Sequence, residues 1–419
     1  MRLESKLILP VALYVALASC LPAAAEDWPE FRGPTGQGLS SARNLPLTWG
    51  ESENVTWKQP IAGQGWSSPV LHRGCIYLTT AVAGENEGPV SLRTLCLAAD
   101  NGKILWDREV NSVPRDKVPG IHGKNSNASP TPIVHLNRLY VHFGHLGTFC
   151  LGLDGKVLWS NTELTYPPVH GNGGSPAIAG DALIFSCDGA SDPFVAALSL
   201  TDGHLLWRVA RPGENLSKTF SFCTPLLIDV AGQPQLITPG AGSVSALNPH
   251  SGDEIWRVKY DGYSVIPRPV FGHGMIFIST GYDQPKIMAI RVDGHGDVSD
   301  TRVAWTAERA APNTPSLLLV GDELYAVSDR GVASCFDAHS GTAHWQQRVG
   351  GNYSASPVYA EGRVYLQSEE GLGVVLKAGK EFEKLAENQL EAHTLASYAV
   401  DDGVIFIRSE ESLYRIEAK

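Results

Sequence analysis

The chain is poor in charge and has none of the short motifs that mark common catalytic centres. Charged residues make up 18% of its 419 residues; its 33 Lys and Arg do not cluster and are outnumbered by 44 Asp and Glu, so we expect no nucleic-acid partner. GxSxG, HExxH, P-loop and CxxC patterns are all missing. Thirteen scattered His residues show no metal-ligand spacing, so neither catalytic residues nor a metal site is predicted.

Long apolar runs and helical periodicity are also missing, except near the start of the chain. The apolar stretch from Leu7 to Ala18 follows a basic start and is too short to span a membrane, so it predicts an export signal. Two processing sites remain open. "AAA" at 23–25 would release a soluble protein that begins near Glu26, whereas "LASC" at 17–20 resembles a bacterial lipobox and would leave a lipid on Cys20. We expect an exported protein of the periplasm or outer envelope, which contacts a membrane only through such an anchor.

Glycine and proline are abundant, at 43 and 27 residues, and they punctuate a repeat. "LAADNGKILW", "LGLDGKVLW", "LSLTDGHLLW", "LNPHSGDEIW" and "FDAHSGTAHW" each contain an apolar strand, a turn with Gly, and a strand that ends in Trp. With two further members, the tryptophans fall 40 to 53 residues apart, at positions 57, 106, 159, 207, 256, 305 and 345. A period of this length indicates a repeat array rather than separate domains.

The other half of each unit is a hairpin in which a small residue or Pro precedes a short apolar strand. Eight such hairpins occur, at 67–80, 128–144, 174–189, 223–240, 267–281, 314–329, 355–369 and 396–410. Four strands per 40 to 50 residues predict an all-β fold, an eight-bladed β-propeller of four-stranded antiparallel blades. In the seventh unit we expect Leu385 at the tryptophan position. The last unit lacks a fourth strand, which "ENVTWKQPI" at 53–61 is predicted to supply, closing the ring.

The predicted organisation is a signal peptide at 1–25, an N-terminal extension at 26–46 and one propeller at 47–419, in a monomer. Six cysteines follow Cys20. Cys75 and Cys96 fall at different heights in adjacent strands, so we expect buried free thiols rather than disulfides.

One face of the predicted ring carries the long connectors that join each fourth strand to the next blade. Because these connectors run inward, their polar side chains should surround the axial opening. The candidate ligand-binding residues on this rim are His122, Lys124, Asn125, His170, Asn172, Lys218, Tyr263, Arg268, Asn352 and Tyr353. Trp66 lies on the same rim, and Asp188 and Asp283 are expected beside it.

With these repeats, the chain resembles the PQQ-like, quinoprotein-type β-propeller family, whose repeat ends in D-x-x-T/S-G-x-x-x-W. The pattern is carried best by "TDGHLLW" at 201–207, "SGDEIW" at 251–256 and "SGTAHW" at 340–345. The chain also resembles exported planctomycete-type propellers that open with "DWPxFRGPxGxG", here residues 27–38, and continue with motifs such as "HGKNSNASPTP" at 122–132. These likenesses cover roughly residues 27–419.

The resemblance implies two functions. BamB-like propellers are exported scaffolds in outer-membrane protein assembly, whereas quinoprotein dehydrogenases hold PQQ and Ca²⁺ over the axis. The chain lacks the adjacent Cys–Cys pair of those dehydrogenases, and Asp188 and Asp283 match their catalytic Asp by location only. We expect a non-enzymatic binding or scaffold propeller that takes a protein, carbohydrate or small-molecule ligand, with no cofactor. A PQQ-dependent oxidoreductase, or another enzyme on the same face, is the alternative.

Overall fold

The computed structural model describes residues 27–211 and 217–418. The predicted export signal and Cys20 lie outside these residues. Within these residues, eight sheets, each built on four antiparallel strands, form an eight-bladed propeller, as the repeats predict. We number the blades I to VIII along the chain and call the strands of each blade A to D, from the axis outward.

Blades I to IV consist of the following strands in A to D order. Blade I contains Val70–His72, Cys75–Val82, Val90–Ala98 and Ile104–Val113; blade II contains Ile133–His135, Arg138–His142, Thr148–Gly152 and Val157–Asn161. Blade III contains Ala177–Ala179, Ala182–Cys187, Phe194–Ser199 and Leu205–Ala210; blade IV contains Leu226–Val230, Gln233–Gly240, Ser243–Leu247 and Glu254–Lys259.

The remaining blades repeat the same order. Blade V contains Val270–Gly272, Met275–Ser279, Ile287–Arg291 and Val303–Ala307; blade VI contains Leu318–Val320, Glu323–Val327, Val332–Asp337 and Ala343–Arg348. Blade VII contains Val358–Ala360, Arg363–Gln367, Leu372–Lys377 and Lys384–Gln389; blade VIII contains Ala399–Asp401, Val404–Arg408 and Ser412–Glu417. In the described part of the chain, three short 3₁₀ helices lie in loops: Glu85–Glu87, Arg115–Lys117 and Gly144–Leu146.

The ring closes through the N-terminal strand, as predicted. Val55–Pro60 pairs antiparallel with Ser412–Glu417 and so becomes strand D of blade VIII. Both ends of the propeller therefore belong to one sheet, and the backbone hydrogen bonds of this ladder join the first strand of the propeller to the last.

The repeated tryptophan and glycine join neighbouring blades. In six of the seven tryptophans the indole N–H donates to a carbonyl in the C–D turn of the next blade; Trp159, for example, donates to Leu200 O over 3.1 Å. A Cβ on Gly203 in that turn would lie 2.4 Å from the Trp159 ring, so only glycine leaves room for the indole. The repeat therefore encodes one joint copied around the ring.

Trp256 departs from this joint because the turn that it should meet is longer. The C–D connection of blade V spans 292–302 and sends Gly296–Asp297 back to pair in parallel with strand D of blade IV. Trp256 is fully buried and donates instead to Gln235 Oε1 over 2.9 Å, within its own blade.

In blade VII the expected position of Leu385 is wrong. Ala386 lies opposite Val375, as Trp345 lies opposite Cys335 in blade VI, while Leu385 falls in the bulge. No tryptophan therefore stands at this position of strand D. Trp49, in the segment that precedes the first strand, instead packs closely on Gly373 of strand C, and its ring meets Tyr398 edge to face.

The six cysteines in the described part of the chain are free, as predicted. Cys75 is half-buried and the other five are buried. Cys96, Cys150 and Cys335 each lie between a strand B tyrosine and a strand D tryptophan of the same sheet, where they act as small apolar residues.

Candidate functional site

The first described residues close one end of the axial channel. Arg268 donates to Phe31 O over 2.7 Å and pairs with Glu30 at 3.1 Å, while backbone hydrogen bonds join Trp28 to Leu71. The segment then reaches blade VII, where Tyr359 N donates to Gly38 O over 2.8 Å. Residues 27–38 therefore cross the A–B hairpin face from blade I to blade VII.

The channel is thereby reduced to a blind cavity of about 780 Å³, which we call the cup. Its floor includes Phe31, and its wall is built from D–A connectors, so it opens on the connector face. A cup of this size falls in the range of sites that bind small molecules or short chain segments.

A ring of hydroxyl side chains lines the lower wall of the cup. Each belongs to the residue two positions before the first residue of strand A. Each accepts a hydrogen bond of 2.9 to 3.2 Å from the backbone N–H of the equivalent residue in the preceding blade. The hydroxyl residues are Ser68, Thr131, Ser175, Thr224, Ser316, Ser356 and Ser397. This explains why a small residue comes before each first strand. Arg268 takes the eighth position and uses its side chain to hold the segment 27–38.

An aromatic half of the cup mouth is built by blades II to V. His122 meets His170, His170 meets Phe220, and Phe220 meets Tyr263, with ring centroids 5.5 to 5.6 Å apart and near-perpendicular planes. Tyr282 continues this chain at 6.2 Å from Tyr263. Edge-to-face contacts fix each ring by its neighbours, so the aromatic half offers a rigid apolar surface.

Lys218 lies over this surface. Its Nζ is 3.9 Å from the centre of the Tyr263 ring and donates to the Tyr263 hydroxyl over 2.6 Å. The hydroxyl in turn donates to Asp283 Oδ2 over 3.0 Å. The hydrogen bond to Tyr263, with the nearby Asp283 carboxylate, raises the pKa of Lys218, so the ammonium is charged and locally neutralised.

The opposite part of the mouth is polar and is built mainly by blade VII and the connector that leads to it. Lys124, on the connector to blade II, reaches Glu369 of blade VII with 2.7 Å between Nζ and Oε1, and Ser354 donates to the same oxygen over 2.6 Å. Asn352 donates to Glu370 through its backbone and its side chain. Although burial raises the pKa of Glu370, these two hydrogen bonds hold it below its ordinary value, so the carboxylate stays ionised.

Three residues at or beside the mouth have a strained backbone, as do several residues in the A–B turns of the other face. His170, Ser264 and Asp283 adopt φ values of +63°, +54° and +73°, a conformation that costs residues with a side chain free energy. Such strain persists where the surrounding contacts determine the conformation, and it is common in ligand-binding loops.

Seven of the ten candidate residues lie in the wall of the cup and three do not. Those in the wall are His122, Lys124, Asn125, His170, Lys218, Tyr263 and Asn352. Asn172 is buried against Gly144, Arg268 binds the segment 27–38 beneath the floor, and Tyr353 is fully buried in the core between blades VI and VII. These three placements differ from the expectation because the inward course of a connector does not fix which way each side chain points.

Sequence reasoning missed Phe220, Phe222, Tyr282 and Phe31, which also line the cup. The candidates were the polar residues of the connectors, whereas the sequence "KTFSF" at 218–222 places two phenylalanines on the same connector as Lys218. Phe31 gave no signal because nothing in the repeat shows where an N-terminal extension will fold.

The cup does not suit a quinone held by calcium. Ca²⁺ takes six to eight oxygen ligands, usually with several carboxylates. Among the described residues, the wall offers the carboxylate of Asp329, which already accepts from Asn313 N over 2.6 Å. At the mouth, Glu369 is bound to Lys124 and Glu370 to Asn352. Asp188 is buried away from the mouth and bound to Arg211 at 2.6 Å, and Asp283 is bound to Tyr263. The residues at the mouth therefore do not fit this cofactor.

Among the described residues, no helix has the length and apolar character needed to cross a membrane.

The comparisons with known proteins agree with the architecture. A family profile described as "Outer membrane protein assembly factor BamB" matches residues 150–318 and 297–419. The outer membrane protein assembly factor BamB of Burkholderia pseudomallei is 26% identical over 321 residues, 73% of this chain. The matched part covers 63% of that relative, so the chain spans less than two thirds of its length.

Solved structures share the fold. The structure of BamB from Moraxella catarrhalis matches with a TM-score of 0.58 at 14% identity, over 86% of this chain and 99% of that one. A europium-containing methanol dehydrogenase matches with a TM-score of 0.56 at 11% identity, over 92% and 90% of the two chains. At such identities the likeness extends to the propeller alone.

Proposed function

The chain belongs to the family described as outer membrane protein assembly factor BamB, and from this membership and the cup we propose that it is a non-enzymatic scaffold of the cell envelope. Its partner is a protein that inserts a segment into the cup from the connector face. The observation that carries the proposal is the blind cup itself, with one aromatic and one polar half.

The two halves of the mouth suit a segment of polypeptide. Rigid rings such as Phe220 and Tyr263 offer apolar contact at little entropic cost, because their neighbours already fix them. Asn352 and Ser354 on the other side supply side-chain amide and hydroxyl groups that can hydrogen-bond a backbone. A chain segment that enters the cup meets both kinds of surface at once.

The charge balance at the mouth also favours a neutral segment over a phosphate or another strong anion. Lys124 is paired with Glu369, and Lys218 is bound to Tyr263 with Asp283 at 3.8 Å. An anion would have to compete with these carboxylates for each ammonium group.

Export is part of the proposal. The N-terminal sequence predicts a signal with cleavage before Glu26 or lipid attachment at Cys20, and either places the scaffold in the envelope. Protein partners of the outer membrane are reached most directly if Cys20 carries the lipid.

The test is capture of partners by paired variants. Lys124→Ala combined with His170→Ala removes one bridge across the mouth and one ring of the aromatic half, and it should weaken recovery of envelope proteins from a mildly crosslinked membrane extract. Leu136→Ala is the control, because Leu136 is 80% exposed on an A–B hairpin at the opposite face. Melting temperatures should match in all three proteins. Equal recovery by the double variant and the wild type would contradict the proposal. Recovery of a glycan without any protein would show that the ligand of the cup is a carbohydrate and would also contradict it.

A further inference from the structure

A second site lies on the A–B hairpin face, away from the cup. Three exposed side chains converge there: His273 from the A–B turn of blade V, Asp322 from the A–B turn of blade VI and His339 from the C–D turn of blade VI. One ligand atom from each lies within 4.8 Å of the others. We propose that these three residues form a binding site for a divalent transition metal ion of the Zn²⁺ class. The proposal goes beyond the proposed function and does not depend on it.

The distances fit coordination. His339 Nε2 lies 3.1 Å from Asp322 Oδ1, and His273 Nε2 lies 3.5 Å from the same oxygen. Two ligands about 2.05 Å from a tetrahedral Zn²⁺ ion are separated by about 3.3 Å. Two of the three distances between donor atoms therefore match the edges of such a site, and the third, between the two imidazole nitrogens, lies within 4.8 Å.

The turns that carry the ligands are fixed by backbone hydrogen bonds. Ala338 N, beside His339, donates to Asp322 O over 2.9 Å, which joins the two turns of blade VI. Asp337 Oδ1 accepts from the backbone of His339 and Ser340 and holds the second turn. The backbone of these two turns is therefore already ordered before a metal binds.

The turn of blade V lies close to those of blade VI. A Cβ on Gly272 would lie 2.4 Å from Leu319, so the two hairpins are in tight contact. The rings of His273 and His339 lie 4.4 Å apart, between centroids. A bound ion would accordingly join blades V and VI at their outer face.

The donor set selects the class of ion. Two imidazole nitrogens and one carboxylate suit Zn²⁺, Ni²⁺ and Cu²⁺, whereas Ca²⁺ and Mg²⁺ require a shell of oxygens. Three protein ligands leave a fourth position for water or for a side chain of another molecule. Binding must displace two existing hydrogen bonds, that of 2.8 Å between His273 Nε2 and Gly321 O and that of 3.1 Å between His339 Nε2 and Asp322 Oδ1.

The experiment titrates the full chain without a histidine tag with Zn²⁺, in competition with a chromophoric chelator. One ion per chain should bind, and His273→Ala or His339→Ala should each weaken it by about tenfold or more, since even indirect ligand contacts are worth that much. Co²⁺ should give the visible absorption of a four-coordinate site in the wild type and lose it in both variants.

His204→Ala is the matched control. His204 pairs with Asp202 at 2.6 Å on the corresponding C–D turn of blade III, in a similarly exposed pair. This variant should bind Zn²⁺ as the wild type does. Three results would each overturn the proposal. They are an unchanged Zn²⁺ affinity in His273→Ala and His339→Ala, a loss of Zn²⁺ binding in His204→Ala, and Ca²⁺ binding as tight as that of Zn²⁺. Because all three ligand side chains are exposed, the variants should have the same melting temperature as the wild type when no metal is present.

Discussion

The contact between a strand D tryptophan and the turn glycine of the next blade gives a prediction about stability. Adding one methyl group to that glycine should destabilise the protein more than adding it to a glycine elsewhere. Gly203→Ala would place a Cβ 2.4 Å from the Trp159 ring, and Gly362→Ala would place one where nothing lies within 4 Å. Both glycines have φ of +75°, so the conformational cost of alanine is the same, about 1 to 2 kcal/mol. The difference between the two variants therefore isolates the contact with the indole.

That contact should cost a further amount because the joint is already filled. Overpacking a closed site by a methyl group destabilises a protein by about 1 to 3 kcal/mol. For a domain of this length an unfolding entropy of about 2 cal/mol/K per residue converts 1 kcal/mol into roughly 1 °C. We expect Gly362→Ala to lower Tm by about 1 to 2 °C and Gly203→Ala to lower it by about 1 to 4 °C more.

Differential scanning calorimetry of the two variants measures this difference. The same comparison in a Trp159→Phe background adds a second test. Trp159→Phe removes the six-membered part of the indole, which the Cβ of residue 203 would touch. The additional loss of stability caused by Gly203→Ala should therefore be smaller in this background. Equal losses of Tm in the two alanine variants, or an unchanged difference in the Trp159→Phe background, would refute the joint as the reason for the repeat.

Two further perturbations test buried polar groups. Burial lowers the pKa of His142 from 6.5 to about 3, so this imidazole is neutral in the fold while the unfolded chain takes up the proton; stability is therefore full above pH 6.5 and falls as the pH drops toward 3. His142→Gln should reduce the loss of unfolding free energy between pH 7 and pH 5 by about 2 kcal/mol in urea titrations, and an unchanged slope would show that another group is responsible. Arg268→Leu removes the contacts to Phe31 O and Pro225 O and leaves the Glu30 carboxylate unpaired, so it should cost about 3 to 5 kcal/mol and speed proteolysis before residue 40. Cleavage at the wild-type rate would mean that the segment 27–38 is held by other contacts.

The architecture could be predicted from the sequence because it repeats. Each of the seven tryptophans marks a fourth strand, and the strand around Trp57 lacked partners of its own, which fixed how the ring closes. Blade VII was assigned correctly as a unit even though its register was not, because a bulge moves Ala386 rather than Leu385 to the position opposite Val375.

The site was harder to predict because it depends on contacts outside the repeat. Polar residues on the connectors could be placed at the mouth, and seven of ten are there. The contact of Arg268 with Glu30 joins residues 238 positions apart, and no periodic pattern indicates it. The edge-to-face chain through Phe220 depends on ring orientations, which sequence spacing does not determine.

The central claim, that a partner binds in the cup on the connector face, is tested most directly by crosslinking in living cells. A photoreactive amino acid at Tyr282, which is 54% exposed at the mouth, should give a discrete adduct with an outer-membrane protein. The same group at Leu136, on the opposite face, should give none. An adduct from position 136 with no adduct from position 282 would contradict the account.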